Sequence, residues 1–336
     1  MPSYQQSKQT WNTDKLFSYL EQLPPFYREM MLSLPAEKMS LSTRTAYARD
    51  VLRFFEYLQE HNFFPDNRSL TQLATSDISE FTSDDAQTYA DYLSDIVSSN
   101  TMNRYLAACS SMYMELMRSG KLTSNPFLLV KRPQKEESEA ECLDDKEYKI
   151  FMDTVATGAG LTEREKSYHF PVRDLALLSL ILDTGLRVSE AVGLDLFDLD
   201  LDEHCVLVTR SGGTHDTLYF SDDTQRKLED YMEHRNIRYD ASDDALFLNK
   251  MNGERVSVRS IELLVKKYAR IAVPRKASHF NVHMLRSSFA VAYYNATHDL
   301  VTLQEKMGHK NISTTRLYTV SARNSAKESR NFRISE

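Results

Sequence analysis

The sequence has few of the residues that mark specialised protein classes. Its 336 residues include three cysteines, nine glycines, nine prolines and one tryptophan. Cys109, Cys142 and Cys205 are far apart and form no CxxC pair, which argues against a disulfide framework and against a zinc site. The low glycine and proline content argues against long low-complexity tracts. We therefore expect an ordinary globular protein of a reducing compartment.

Long apolar runs are also missing. No segment approaches the ~20 apolar residues needed to span a bilayer, and residues 1–14 are polar rather than leader-like. No repeat of fixed period is visible. We expect a cytoplasmic protein with no membrane span, and the length predicts two domains, each with a sizeable core.

The chain has no overall excess of basic residues. Its net charge is -7, which speaks against a nucleic-acid partner because phosphate binding usually requires excess Lys and Arg. The charge is unevenly distributed, however. Residues 250–336 contain 16 Lys and Arg against 6 Asp and Glu, a net charge of +10, whereas residues 1–249 carry -17. This asymmetry favours a polyanionic partner, although a solvated basic face would give the same pattern.

The first 130 residues are predicted to be helical throughout. Apolar clusters broken by prolines predict two helices within residues 1–37. Three more helices are predicted within residues 42–119, each with apolar residues at helical spacing. The charged stretch 131–139 has no apolar period and indicates a domain boundary.

The second half mixes helices with short strands. Helices are predicted over residues 143–154, 173–184, 224–238 and 257–272. Two β-rich runs, Cys205–Thr209 and Thr217–Phe220, flank a Gly-Gly turn and predict a hairpin. Residues 245–248 predict one more brief strand.

Five polar residues of the second half suit phosphate chemistry. His283 and Arg286 are three apart in a helical segment and so share one face. Arg187 and His309 each follow a glycine closely, and Tyr318 follows a helix-start signal. Arginine forks bind two phosphate oxygens, histidines move protons, and a tyrosine hydroxyl can attack phosphorus. Each residue alone would more often be a packing, capping or surface residue, so the prediction rests on the five together.

These residues lie in four motifs that resemble the signature of the tyrosine recombinase (phage integrase) family. The motifs are Gly185-Leu186-Arg187-Val188-Ser189-Glu190, His283-Met284-Leu285-Arg286, Gly308-His309 and Thr314-Thr315-Arg316-Leu317-Tyr318. The resemblance covers nearly the whole chain, and it is strongest to the Xer branch and its single-recombinase subtype.

The resemblance implies a mainly α fold with a small antiparallel β-sheet, arranged as a two-domain clamp. The implied order is an N-terminal helical extension (1–37), a helical core-binding domain (38–130), a linker (131–142), an α+β catalytic domain (143–325) and a C-terminal tail (326–336). The C-terminal segment Ser321–Glu336 would dock on a neighbouring protomer.

The implied activity is site-specific DNA recombination through a 3'-phosphotyrosyl intermediate, for chromosome dimer resolution or for integration of a mobile element. Tyr318 would attack the scissile phosphate, while Arg187 and Arg286 hold its non-bridging oxygens. His283 would accept the tyrosine proton, and His309 would donate to the phosphorane. The resemblance implies no metal and no cofactor. The implied partner is double-stranded DNA with an inverted-repeat site, bound by a homotetramer on two sites; off DNA the protein would be a monomer or weak dimer.

One position departs from the family pattern. The family has a hairpin lysine that protonates the leaving 5'-oxygen, and Ser211 stands there in this chain. Serine cannot supply that proton at neutral pH, and Arg210 is a poor acid because an arginine pKa lies above ~12; His215 is a further candidate. Two alternatives stay open: a catalytically impaired DNA-binding homologue with an accessory or regulatory role, and a topoisomerase-like enzyme that relaxes supercoils without exchange.

Overall fold

The computed structural model describes residues 4–64, 68–133, 141–210, 213–235, 244–249, 251–309 and 311–319. The described residues fall into two compact units, which are divided between Glu137 and Ser138. No helix in the described ranges is both long enough and apolar enough to cross a membrane.

The described part of the first unit is helical. Its α-helices are α1 (Tyr4–Leu20), α2 (Pro25–Ser33), α3 (Leu41–Glu60), α4 (Ser83–Ile96) and α5 (Ser99–Arg118). Local signals set where they begin. Pro25 occupies the first turn of α2, where its missing N–H has no helical partner to lose. The Thr82 hydroxyl caps α4 by accepting from the Asp85 N–H.

Aromatic rings fill the core of the first unit. The Phe54 ring of α3 lies 5.2 Å from the Phe81 ring, 5.1 Å from Tyr89 and 5.5 Å from Phe127, measured between centroids. Such edge and tilted contacts add to the free energy gained by burial. The fully buried Asp50 of α3 pairs with Arg104 of α5. Hydrophobic burial and this ion pair, whose arginine is partly exposed, together hold α3 to α5.

The second unit combines helices with a small sheet. Its α-helices are α6 (Asp145–Thr157), α7 (Glu163–Ser167), α8 (Phe170–Thr184), α9 (Val188–Val192), α10 (Asp222–Arg235), α11 (Val258–Ala272), α12 (Val282–Thr297) and α13 (Leu300–Met307). A last helix covers residues 312–319. The strands β1 (Leu199–Asp200), β2 (Cys205–Thr209) and β3 (His215–Tyr219) form one antiparallel sheet in the order β1-β2-β3. The predicted fold class, mainly α with a small antiparallel sheet, is confirmed.

Two predicted elements differ from the structure. The hairpin is present, but a third strand, β1, pairs with β2. The strand predicted at residues 245–248 is wrong, because Ala245 and Leu248 make only isolated bridges, to Asp195 and Arg255 respectively. The run is apolar because it is buried, not because it belongs to the sheet.

Helix α8 is the centre of the second unit and delivers the chain to the candidate site. Leu177, Leu178 and Ile181 are fully buried, as expected for a helix covered on several sides. Gly185 ends α8 with φ +68°, and a Cβ there would lie 2.4 Å from a ring carbon of Phe289 on α12. Only glycine fits this close approach, which brings the residues after α8 beside α12.

Candidate active site

Arg286 is buried at the centre of the candidate site. It lies in the second turn of α12, which the Asn281 side chain caps, and is only 1% exposed. Its Nη1 donates to the Gly185 carbonyl oxygen at 2.5 Å, and its Nη2 donates to the Met307 carbonyl oxygen. Arg286 therefore joins the ends of α8 and α13. Its Nε has no hydrogen-bond acceptor within the described ranges, so this buried cation retains one donor for an anion.

One carboxylate organises the arginines around Arg286. Glu190 Oε1 accepts from Arg187 Nη1 at 2.8 Å, and Oε2 accepts from Arg210 Nη1 at 3.0 Å. Arg286 Nη1 lies 4.0 Å from the same Oε2. Glu190 also accepts from the Arg187 backbone N–H at 2.9 Å, which closes the first turn of α9. Three guanidinium groups share one carboxylate, so the cluster retains net positive charge and suits an anionic ligand.

Arg210 makes structural contacts that hold separate elements of the site together. It is 6% exposed, and its Nε donates to Asp216 Oδ2 at 2.8 Å while Nη2 donates to the Lys306 carbonyl oxygen at 2.6 Å. Gly308 adopts φ +58°, and a Cβ there would lie 3.2 Å from Arg210 Nε. Arg210 thus holds the ends of β2 and α13 together and is not free to meet a leaving group.

His215, the other candidate acid, is on the outer face of the hairpin. It pairs with Thr209 in the sheet, and its Nδ1 lies 3.3 Å from Thr209 Oγ1. Neighbouring residues of a strand point to opposite faces, and it is Asp216 that faces Arg210. His215 is exposed and faces away from the arginines. Ser211 and Gly212 lie outside the described residues.

His309 and Tyr318 complete the cluster. His309 Nε2 is 3.1 Å from Arg286 Nη2, and its Nδ1 is 3.0 Å from Thr315 Oγ1. The Tyr318 ring stacks on the His309 ring with centroids 6.1 Å apart. Tyr318 is 3% exposed and packs with the apolar residues Ala290, Val291, Leu303 and Met307. Thr315 and Tyr318 are three apart on the helix of residues 312–319, so the two side chains face the site together.

The electrostatics of the site favour neutral histidines. Burial, followed by the charges of Arg286 and Arg187, lowers the pKa of His309 to about 4. Partial desolvation beside the cluster, followed by the charges of Arg286 and Arg187, lowers the pKa of His283. Its side chain, in the first turn of α12, remains accessible to a ligand. Both rings are therefore neutral at pH 7. A neutral imidazole can accept a proton.

Tyr318 is protonated in this arrangement. Burial raises its pKa, while the positive charges of Arg286 and Arg187 and the hydroxyl of Ser287 partly oppose that effect. Burial also lowers the pKa of Arg286 to about 10, so its guanidinium stays charged at neutral pH. A protonated tyrosine needs a base before it can act as a nucleophile.

The lowered pKa of His309 leads us to expect acid-sensitive stability. The unfolded ring keeps a pKa of about 6.5, so between pH 6.5 and 4 the unfolded state binds more protons than the folded state. Stability should fall as the pH falls through this window. After allowing for solvent screening, we expect His309 to account for about 1 kcal/mol of lost unfolding free energy between pH 7 and 5. Urea unfolding of His309→Gln should show a shallower pH dependence than the native chain; equal slopes would contradict the assignment.

Comparison with known proteins defines the family of the chain. Residues 141–325 match the model of the phage integrase family, and residues 31–120 match the phage integrase N-terminal SAM-like domain. The chain belongs to the phage integrase family. Within this family of tyrosine recombinases its relatives are Xer proteins. It is 30% identical over 340 residues to the tyrosine recombinase XerS of Streptococcus thermophilus, covering 91% of this chain and 94% of that protein.

Other relatives agree with this placement. XerS of Lactococcus lactis subsp. cremoris is 30% identical over 331 residues, covering 88% of this chain and 92% of the relative. Two solved structures share the fold. XerH bound to a palindromic difH substrate has a TM-score of 0.66 at 22% identity, covering 86% of this chain and 79% of that one. A lambda integrase dimer bound to a COC' core site has a TM-score of 0.62 at 16% identity, covering 90% and 94%. This tyrosine recombinase is thus a site-specific recombinase of Xer-like or integrase type.

The structure brings together the five residues selected from the sequence of this recombinase: Arg187, His283, Arg286, His309 and Tyr318. Their roles stay predictions. The contact of Thr315 with His309 was not predicted, because Ser313-Thr314-Thr315 has the pattern of a helix start. The contacts of Glu190 with Arg210 and Arg286 were not predicted either, because they join distant parts of the chain. The sequence suggested Arg210 only as a poor acid. In the structure its side chain instead makes contacts that hold β2 and α13 together.

Proposed function

We propose that the protein cleaves and rejoins double-stranded DNA with Tyr318 as nucleophile. The observation that carries this proposal is the position of Tyr318, stacked on His309 beside a buried arginine that has an unused donor. A phosphodiester under attack becomes a doubly charged phosphorane, which fixed cationic donors stabilise. Arg187 and Arg286 supply such donors within one preformed cluster.

The proposed first step transfers the DNA strand to the protein. The Tyr318 oxygen attacks the scissile phosphorus, and the bond from phosphorus to the 5'-oxygen breaks as the 3'-phosphotyrosyl bond forms. His283 takes the tyrosine proton, for which a neutral and accessible ring is suitable. Reversal with a different 5'-hydroxyl rejoins the strand, and the link conserves the energy of the phosphodiester.

The proton for the departing 5'-oxygen has no assigned donor. Arg210 is committed to structural contacts, and His215 faces away from the cluster. Ser211, which stands where the family has its lysine, lies outside the described residues. General acid catalysis is typically worth ~10²–10⁴ in rate, so cleavage without it would be slow but measurable.

We also propose the partner and the task of this chain. XerH and lambda integrase, which share the fold, were solved with DNA substrates, and this supports double-stranded DNA as the ligand of this chain. We further propose an inverted-repeat site, a homotetramer that holds two such sites, a monomer or weak dimer off DNA, and a cytoplasmic location. The task is dimer resolution or integration.

A second candidate function is DNA binding without catalysis. The departure at Ser211 favours it, because it removes the acid that the family uses. Such a protein would act as an accessory or regulatory partner on the same DNA site.

A nicked suicide substrate distinguishes these functions. The binding site is first selected from fragmented genomic DNA, and the substrate then carries a nick next to each possible cleavage position in turn. The native chain should form a covalent adduct, and Tyr318→Phe should form none. Tyr294→Phe is the matched control, because Tyr294 lies against the same apolar cluster and loses the same hydroxyl; it should keep the adduct. DNA binding by the native chain without any adduct would contradict the proposal that the protein is an enzyme. Relaxation of supercoiled DNA without strand exchange would favour the topoisomerase-like alternative.

A further inference from the structure

The two nitrogens of the His309 ring have different partners. Nε2 lies 3.1 Å from Arg286 Nη2. A guanidinium group has donors only, so Nε2 must be the acceptor and carries no proton. A neutral imidazole has one proton, which is therefore on Nδ1. Nδ1 donates it to Thr315 Oγ1 at 3.0 Å.

Thr315 is well placed to hold this arrangement. Its side chain is completely buried, on the helix that carries Tyr318. The backbone of His309 is fixed independently, since its N–H donates to the Gln304 carbonyl oxygen at 3.1 Å and its carbonyl oxygen accepts from Gln304 Nε2 at 2.9 Å. With the backbone held, the Thr315 hydroxyl determines how the ring is turned.

We propose that Thr315 is a positioning residue that keeps a proton on His309 Nδ1 and so makes Nε2 the nitrogen that gains and loses a proton. This inference rests on the proposed function, since it concerns the same site. Nε2 is the nitrogen beside Arg286, where the phosphate would be held. The Nδ1–H is present in both the neutral and the charged ring, so protonation of Nε2 requires no movement of the ring.

The proposal changes the expected role of His309. In the free protein Nε2 is occupied as an acceptor and cannot donate to a phosphorane. The titratable groups around it are Arg286 and His283 from α12, Arg187 before α9, Arg210 after β2 and Tyr318 from the last helix. The carboxylate of Glu190 is bound to Arg187 and Arg210. These cations oppose a charge on the ring. A bound phosphate would offset them, so His309 becomes a donor only once DNA is in place.

The contact also links His309 to the nucleophile. Thr315 and Tyr318 lie on the same face of the helix of residues 312–319, so the Thr315 hydroxyl reaches His309 only when that helix is docked. Docking of the nucleophile and orientation of His309 are then one event.

Nitrogen-15 NMR of histidine-labelled full-length protein tests the proposal without DNA. His309→Gln identifies the resonances of His309. At pH 7.5 the native chain should show a protonated Nδ1 and an unprotonated Nε2. Thr315→Val, which removes the hydroxyl at constant shape, should disturb this pattern, and Thr315→Ser should restore it. Thr314→Val is the matched control, because Thr314 is exposed, and should leave the pattern unchanged. An unchanged pattern in Thr315→Val would overturn the proposal; should that variant not fold, Thr315→Ala is measured against the same two outcomes.

The rate of adduct formation on the nicked substrate gives a second readout. Loss of one hydrogen bond to a charged ring should lower the rate of Thr315→Val about 10-fold and move its pH profile towards lower pH. Thr315→Ser should recover both. A lower rate with an unchanged pH profile would mean a purely structural role and would overturn the proposal. If the native chain forms no adduct, the proposed function fails, whereas the NMR pattern still decides the role of Thr315.

Discussion

Arg286→Lys is expected to lower the rate of covalent DNA cleavage by about 10²- to 10³-fold. The guanidinium group holds the Gly185 and Met307 carbonyl oxygens and still has Nε to offer a phosphate. A lysine has one compact ammonium group on a flexible chain, so it cannot make the two structural bonds and grip a phosphate at once. Single-turnover adduct formation on the nicked substrate measures the effect.

Arg286→Lys should cleave DNA slowly while it still binds DNA. Arg286→Lys keeps the positive charge, and one phosphate contact among many contributes little to overall affinity, so DNA binding should stay close to native. Arg259→Lys is the matched control, because the Arg259 side chain is 71% exposed and pairs with Glu262 one turn away on α11. That control should cleave at the native rate. Cleavage by Arg286→Lys at the native rate would remove Arg286 from the proposed mechanism.

Glu190→Gln is expected to cause the largest loss of stability, about 3 kcal/mol of unfolding free energy. The carboxylate accepts from Arg187 and Arg210 and lies 4.0 Å from Arg286. Glutamine has almost the same shape, but it leaves three guanidinium groups close together without their shared negative charge. Arg210 is affected most, because its side chain is only 5% exposed and water cannot replace the lost partner.

Urea unfolding of the full chain at pH 7 measures this loss in the transition of the second unit. Glu163→Gln provides the comparison, since the Glu163 side chain is 90% exposed and pairs with Lys166 one turn away. Surface pairs of this kind contribute little, so that variant should stay within about 0.5 kcal/mol of native. If the two variants unfold at the same urea concentration, Glu190 does not organise the arginines as described.

Local signals in the sequence were sufficient for most helices. Prolines, hydroxyl caps and apolar spacing act within a few residues, and they predicted three helices within residues 42–119, where α3, α4 and α5 are observed between Leu41 and Arg118. The apolar run 245–248 was misassigned because a buried loop and a buried strand have the same composition. Only the pairing of the backbone, which depends on distant residues, distinguishes them.

In the candidate site too, some features could be predicted from the sequence and others only from the tertiary structure. Residue type and order were enough to select five residues as members of one site: Arg187, His283, Arg286, His309 and Tyr318. The contacts of Glu190 with Arg210 and of Arg210 with Lys306 join residues 20 and 96 positions apart, and no local pattern predicts them. The tautomer of His309 follows from its contact with Arg286, and the contact with Thr315 agrees with it; both contacts come from the tertiary structure.

The identity of the residue joined to DNA is the most direct test of the central claim. The covalent adduct formed by the native chain on the nicked substrate is digested with trypsin and nuclease, and the nucleotide-bearing peptide is sequenced by mass spectrometry. We expect the nucleotide on Tyr318, within the peptide that follows Arg316, and joined through its 3'-phosphate. A nucleotide on any other residue, or one joined through a 5'-phosphate, would contradict the account.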